Sequence, residues 1–426
     1  MKTWRATSAT GRGLLMAVLL TGLTTFMFLP LLALHLTAQG LPAGRTGFLV
    51  GLLAFCGQGF SLAVGPLVDR AGARPVMLTG FGLRIVGYVL LVLGGADRTV
   101  LLVTGIAVVG VGGSLLGLSI KTLLVREEGD SPRAMLALRS TFVNVGVVLG
   151  PALGALVYPP FGFRAVLAAC VLSHAVLGLR LALLPAGATA EPAATAPSSG
   201  PGPEHSARRP AHGAAVRHWA PLLLVGAAFW ALYSQLNVLL PLTAADLTGS
   251  TRAISVVFTL NGVLVILFQY VLVARVFRRA SPRMLLLAGF LAFGCAYAVL
   301  LPQAGWYSLL AFVLPVTLAE ILIGPTLDEQ AVLAGSRGRT GLALGLISAC
   351  GAVGSLLGSA LGGLLVETTH GGGGAAPVIV AVSCAAAAAC LLLPARNSAA
   401  PTDPHTATGP RPAADTSAGE KEFSHA

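Results

Sequence analysis

Twelve apolar runs of about 18 to 25 residues, each long enough to cross a hydrocarbon core of about 30 Å, follow one another along this chain. They lie at 14–37, 45–66, 75–95, 99–121, 135–158, 163–184, 219–242, 254–277, 284–301, 306–327, 341–366 and 375–394. In hydrocarbon a chain must satisfy its backbone N–H and C=O groups internally, and a run of this length does so as a helix. Of the 426 residues 55% are hydrophobic and 10% charged, too little polar surface to cover a water-soluble globule. The expected fold class is all-α and integral to a membrane, with twelve transmembrane helices. The first run is longer than a signal-peptide core and precedes many like it, so it is read as a retained helix.

Charge placement orients the runs. Arg45, Arg98, Arg164 and Arg252 lie in one set of alternate loops, Arg84 and Arg139 lie inside runs, and the rest of the 27 basic residues fall with the other loops and the tails. The richer side is expected to be cytoplasmic, which puts both termini of a multi-pass cell-membrane protein inside. The net charge of +11 thus sets topology and does not point to nucleic acid. Residues 186–218, rich in Pro, Ala, Ser and Gly, read as a disordered cytoplasmic linker, and 396–426 as a disordered cytoplasmic tail. Between them the chain divides into six-helix bundles over 1–185 and 219–395. Pro30 and Pro241 sit in similar stretches, FLPLLALHL and LLPLTAADL, 211 residues apart. Gly80 and Gly289 are 209 apart, and Gly146, Gly150 and Gly154 precede Gly354, Gly358 and Gly362 by 208. Matches in one order at nearly one offset indicate two homologous halves, with a cavity expected at their interface near the bilayer midplane.

Between the second and third runs lies GPLVDRAGAR, Gly65 to Arg74. Gly72 suits the positive φ of a tight reversal, Asp69 can accept from backbone donors at a nearby helix end, and Arg70 and Arg74 can hold the turn on the cytoplasmic side. This pattern, at this position, resembles the signature loop of the major facilitator superfamily. The resemblance implies a fold of two six-helix bundles and assigns the loop to conformational gating, with Asp69 meeting the cytoplasmic start of the eleventh helix in the outward-facing state. Ala73 stands where family members usually carry a basic residue. The fifth run contains Gly146, Gly150, Pro151 and Gly154. Glycines four apart make a groove that lets a neighbouring helix approach, and the proline favours a bend. This run also resembles the superfamily's antiporter motif, which implies export in preference to uptake. Longer stretches such as SVVFTLNGVLVILFQY are similar to the proton-coupled drug-efflux branch. Ile106, four residues before Gly110, replaces an arginine common in that branch, so no proton-relay role is carried over there.

Of the 16 acidic residues only Glu320 lies deep in a run, about 14 residues or roughly 20 Å past Trp306. A carboxyl at that depth must be protonated, paired or facing a wet cavity, so Glu320 is the proton-coupling candidate, against the alternative of a neutral, hydrogen-bonded packing residue. Pro315 and Pro325 flank it. Arg84 and Arg139 fit snorkelling to the cytoplasmic surface, with Arg84 also a cavity candidate. Gln58, Asn144, Phe229, Tyr233, Gln235, Asn237, Asn261 and Gln269 are the other cavity candidates, although hydrogen bonding between helices explains any polar one of them equally well. The six cysteines read as small buried hydrophobes, and His35 and His174 as structural residues with no ligand spacing.

No cofactor or metal is expected, and no nucleotide-binding loop is present to couple ATP. An enzyme needs a clustered acid, His or Cys site, and Glu127, Glu128 and Asp130 read better as a solvated loop. A sensor or scaffold needs a soluble domain that neither linker nor tail can supply. The expected activity is proton-coupled export of a hydrophobic or amphipathic small molecule by a monomer in a lipid bilayer, by alternating access. The alternative is facilitated or symport uptake of a sugar or other metabolite.

Overall fold

The computed structural model of the chain describes residues 8–94, 98–127, 132–183, 212–272, 276–277, 280–334, 340–369 and 372–391. Among them there are thirteen α-helices and no strand: α1 (Ala9–Ala38), α2 (Ala43–Gly59), α3 (Ser61–Ala71), α4 (Ala73–Leu93), α5 (Thr99–Glu127), α6 (Pro132–Ala182), α7 (His212–Tyr233), α8 (Leu239–Thr248), α9 (Arg252–Val271), α10 (Pro282–Ala298), α11 (Trp306–Ala334), α12 (Thr340–Thr368) and α13 (Gly372–Cys390). Among the described residues eight spans are long and apolar enough to cross a membrane, or nine if the bent pair α2–α3 is one span. Large apolar side chains such as Leu156, Phe161, Leu224, Leu267 and Leu361 stand exposed on the outside. Such a surface is stable in lipid and not in water.

The departures from twelve simple runs are local. Gly162, at φ 74° and ψ 178°, breaks α6 into two legs, so the fifth and sixth runs share one element. The second run bends by 47° between α2 and α3. The seventh is interrupted after Tyr233 by a 3-10 turn at Ser234–Leu236, and α8 then continues to Thr248, past the expected end at 242. Helix α7 begins at His212, inside the stretch read as linker. The rest of that stretch, 186–211, and the tail 396–426 lie outside the described residues.

Glycine sets the helix spacing. Along α6, a Cβ on Gly150 would meet Leu23 O at 2.7 Å, and one on Gly154 would meet Met27 O at 2.7 Å, so α6 lies directly on α1. Along α12, Gly358 and Gly362 press on Ala231 and Gln235 of the α7 segment. Both members of each contact are displaced by 208 residues: Gly150 to Gly358 and Leu23 to Ala231, Gly154 to Gly362 and Met27 to Gln235. Buried apolar side chains form three clusters. One is built from residues 222–390; the other two come from 14–181, with Val238 alone joining them from the second half.

Helices α2 and α12 close one end of the molecule. Gly47 abuts Ser359 and Gly363, a Cβ on Gly51 would lie 2.8 Å from Leu356 O, and the Gly44 N–H donates to Glu367 Oε2 at 3.0 Å. At the other end lies the turn after α3. Gly72 adopts φ 87°, and Arg74 donates to Ala182 O at 3.0 Å, tying the turn to the end of α6. Asp69 is exposed, and the side chains at the start of α12, which it was expected to meet, lie outside the described residues.

Candidate functional site

A cavity of about 430 Å³ lies between the two halves. Helix α1 lines it from Val18 to Leu29, α5 from Val109 to Ile120 and α6 at Arg139 and Val143; α7 and the turn after it contribute Trp230, Tyr233, Ser234 and Asn237, and α12 Ser355 and Ser359. The lining therefore runs from the closed α2–α12 end toward the end that carries Asp69. The break after Tyr233 matters locally. A continuous helix would tie up the carbonyls of this turn and set a different side-chain rotation, whereas the 3-10 turn brings Tyr233, Ser234 and Asn237 to the same cavity.

Arg84 projects from α4 toward this cavity and is 4% exposed. Its Nη2 donates to Thr25 Oγ1 at 2.7 Å and to the Tyr88 hydroxyl, and its guanidinium carbon sits 5.4 Å from the Tyr88 ring centre. The snorkelling expected for Arg84 does not occur, because α5 provides room inside. A Cβ on Gly112 would lie 2.8 Å from Arg84 Cγ, and one on Gly113 3.7 Å from its Nη1. Arg139, also expected to snorkel, is half-buried, lines the cavity and has a buried Nε without a partner. Behind Arg84, His174 packs beside Phe81 and Tyr88 and bonds the Cys170 carbonyl through Nδ1 at 2.8 Å, as a structural histidine.

Glu320 lies behind Tyr233. The Tyr233 hydroxyl donates to Glu320 Oε1 at 3.2 Å, Asn261 Nδ2 donates to Oε2 at 3.1 Å, and the Thr317 hydroxyl lies 2.6 Å from Asn261 Oδ1. Three helices, α7, α9 and α11, thus converge on one carboxyl. No lysine, arginine or histidine among the described residues bonds it. Tyr233 belongs both to this network and to the cavity wall.

The remaining expected cavity residues divide. Gln58 and Asn237 line the space, Asn237 with its Oδ1 unpartnered. Asn261 is buried, bonds Glu320 and Thr317 and does not line the cavity. Phe229 is packed in the core against Trp230, Tyr233 and Phe293 and does not line the cavity. Gln235 is spent on the α7–α12 contact, donating to Ala231 O at 2.9 Å and Gly358 O at 2.8 Å. Asn144 and Gln269 are half-buried away from the lining. Sequence reasoning missed Thr21, Thr25, Ser355 and Ser359, small hydroxyls that carry no pattern of their own. The signal for Arg84 was present: the glycine pair Gly112–Gly113 in the run opposite. Of the cysteines, Cys56, Cys170 and Cys390 are buried as expected, but Cys295 and Cys384 are exposed on the outer surface. No cluster of metal-binding side chains occurs among the described residues.

Comparison with known proteins places this geometry. The family model of the Major Facilitator Superfamily matches residues 14–334. The multidrug resistance protein MdtH of Aeromonas salmonicida is 27% identical over 344 residues, covering 77% of this chain and 82% of that protein. An uncharacterized MFS-type transporter of Mycobacterium tuberculosis is 32% identical over 130 residues, and the match spans about 30% of that protein's length. Among solved structures, a POT family transporter in complex with 5-aminolevulinic acid superposes with a TM-score of 0.74, covering 90% of this chain and 95% of that one at 14% identity. At that identity the likeness is one of fold.

Proposed function

The chain belongs to the major facilitator superfamily, and from that premise we propose that it is a proton-coupled exporter of hydrophobic or amphipathic small molecules, working by alternating access. The observation that carries the reading is Glu320: a carboxyl deep in α11, held by Tyr233 and Asn261 with no cation bonded to it among the described residues, and with Tyr233 linking it to the cavity. A group so placed changes the charge of the site when it gains or loses a proton, and an isolated charge at that depth costs several kcal/mol. Substrate bound against Tyr233 alters one of the two hydrogen bonds that support the charged form. Proton and substrate thereby compete for one network, which is what antiport requires. Similarity to MdtH and the Gly146–Gly150–Pro151–Gly154 helix favour export over uptake.

Twelve crossings follow if the bent pair α2–α3, the short helices α10 and α13 and both legs of α6 each span the membrane. The 208-residue displacement of the α1–α6 contacts onto the α7–α12 contacts supports two homologous bundles that rock about the cavity. In this reading Asp69, Arg70 and Arg74 face the cytoplasm with both termini, and the protein acts as a monomer in the cell membrane. The present conformation opens toward the cytoplasm, and Asp69 engages the start of α12 only when that end closes.

The test is to separate exchange from accumulation in proteoliposomes. Glu320→Gln keeps a group that can bond both Tyr233 and Asn261, so substrate exchange should persist within about threefold while accumulation driven by a proton gradient falls at least roughly tenfold. Equal loss of both activities, or of neither, contradicts the assignment.

A further inference from the structure

Among the described residues, the polar lining of the central cavity is rich in donors and free of acids. Two guanidinium groups, Arg84 and Arg139, border it, and among the described residues no aspartate or glutamate does. Glu320 lies beyond Tyr233 with each carboxyl oxygen already accepting a hydrogen bond. Arg84 is 4% exposed; Nη2 holds Thr25 and Tyr88, whereas Nη1 makes no hydrogen bond and Nε is buried without a partner. Arg139 makes no side-chain hydrogen bond among the described residues, and the hydroxyls of Thr21 and Ser359, also in the lining, are unpartnered. A guanidinium cannot shed its charge as a lysine or histidine can. Two fixed positive charges walled by apolar helices therefore need a negative charge that the lining does not provide. The same lining includes the apolar and aromatic side chains Phe26, Leu29 and Trp230.

We propose that the cavity is built for amphipathic organic anions: an aromatic or aliphatic body against Trp230 and Phe26, and a single carboxylate-like headgroup held by Arg84 and Arg139. This refines the export reading above and rests on it for the direction of transport, but not for binding. The volume of about 430 Å³ suits a ligand with a body of two fused rings. Arg84 offers the headgroup its free Nη1, and a bidentate contact from Arg139 would add orientation as well as attraction.

Three probes that share one body and differ in charge test this on the purified full-length protein: 2-naphthylacetate, 2-naphthylacetamide and 2-(2-naphthyl)ethylammonium, with affinity read by titration calorimetry. The acetate should bind at least about tenfold more tightly than the amide, and the ammonium most weakly. Arg84→Gln and Arg139→Gln should each erase most of the preference of acetate over amide while leaving amide binding within about threefold. Arg84 also bonds Thr25 and Tyr88, so its variant is at risk of misfolding; Arg139→Gln gives up no side-chain hydrogen bond and carries the test alone if needed. Equal binding of all three probes, preference for the ammonium, a preference retained in the Arg139 variant, or no binding of any probe overturns the proposal. Proton movement evoked by neutral compounds in a protein that fails this test would leave the export reading standing. Acetate binding with no proton movement evoked by any substrate would leave the anion site standing and remove the export reading.

Discussion

At the scale of single residues, the proposed coupling turns on which hydrogen bonds reach one carboxyl. Glu320 was legible in the sequence because it is the one acid placed deep in an apolar run. Its partners were not legible. Tyr233 and Asn261 are 87 and 59 residues away in sequence, and whether they meet Glu320 depends on how three helices are rotated about their axes. The same uncertainty of rotation made Phe229 and Gln235 plausible cavity residues, though the structure spends them on packing. A bond to a charged group is worth about 1.5–3 kcal/mol. Tyr233→Phe, which deletes one of the two donors to Glu320 and keeps the ring, should slow proton-driven transport roughly ten- to hundredfold with little change in expression level. Initial rates in vesicles check this, and a wild-type rate would show that the Tyr233–Glu320 contact plays no part in coupling.

At the scale of elements, glycine spacing was the most informative pattern, because a residue without Cβ reports how closely two helices approach. Gly146, Gly150 and Gly154 were legible as a groove, and the structure adds the partner, α1. The second copy on α12 was legible only through its 208-residue offset, and it receives α7 in the corresponding register. The break in α6 was legible as the gap between the runs 135–158 and 163–184, and the structure adds that Gly162, and not Pro159 or Pro160, is the residue that leaves helical geometry there. The contacts give opposite expectations for two glycines. Gly150→Val places a side chain 2.7–2.9 Å from the backbone of α1 and should cost about 1–3 kcal/mol or more through overpacking. Gly65→Ala meets nothing within 4 Å and should leave stability within about 0.5 kcal/mol. Thermal unfolding in detergent ranks the two, and equal losses would mean that the close approach of α1 and α6 is not what Gly150 provides.

At the scale of the whole molecule, the two ends differ. Glycine contacts and the Gly44–Glu367 bond seal α2 against α12 at one end, while at the other Asp69 is exposed and the cavity lining runs outward from Leu29 toward Val18. A single cysteine replacing Gln58 in the cavity wall, in a background lacking the native cysteines, should react with a membrane-impermeant maleimide from the Asp69 side several-fold faster than from the opposite side. If Asp69 holds the alternative state, Asp69→Asn should raise that rate further. Equal reactivity from both sides would place the resting protein in another conformation. The central claim is that one carboxyl exchanges protons for substrate, and it is tested most directly by substrate-evoked proton efflux from acid-loaded inverted membrane vesicles. An amphipathic substrate should discharge the gradient in wild-type vesicles, and Glu320→Gln should abolish the discharge while retaining substrate binding. Discharge of the same size in the Glu320→Gln vesicles would contradict it.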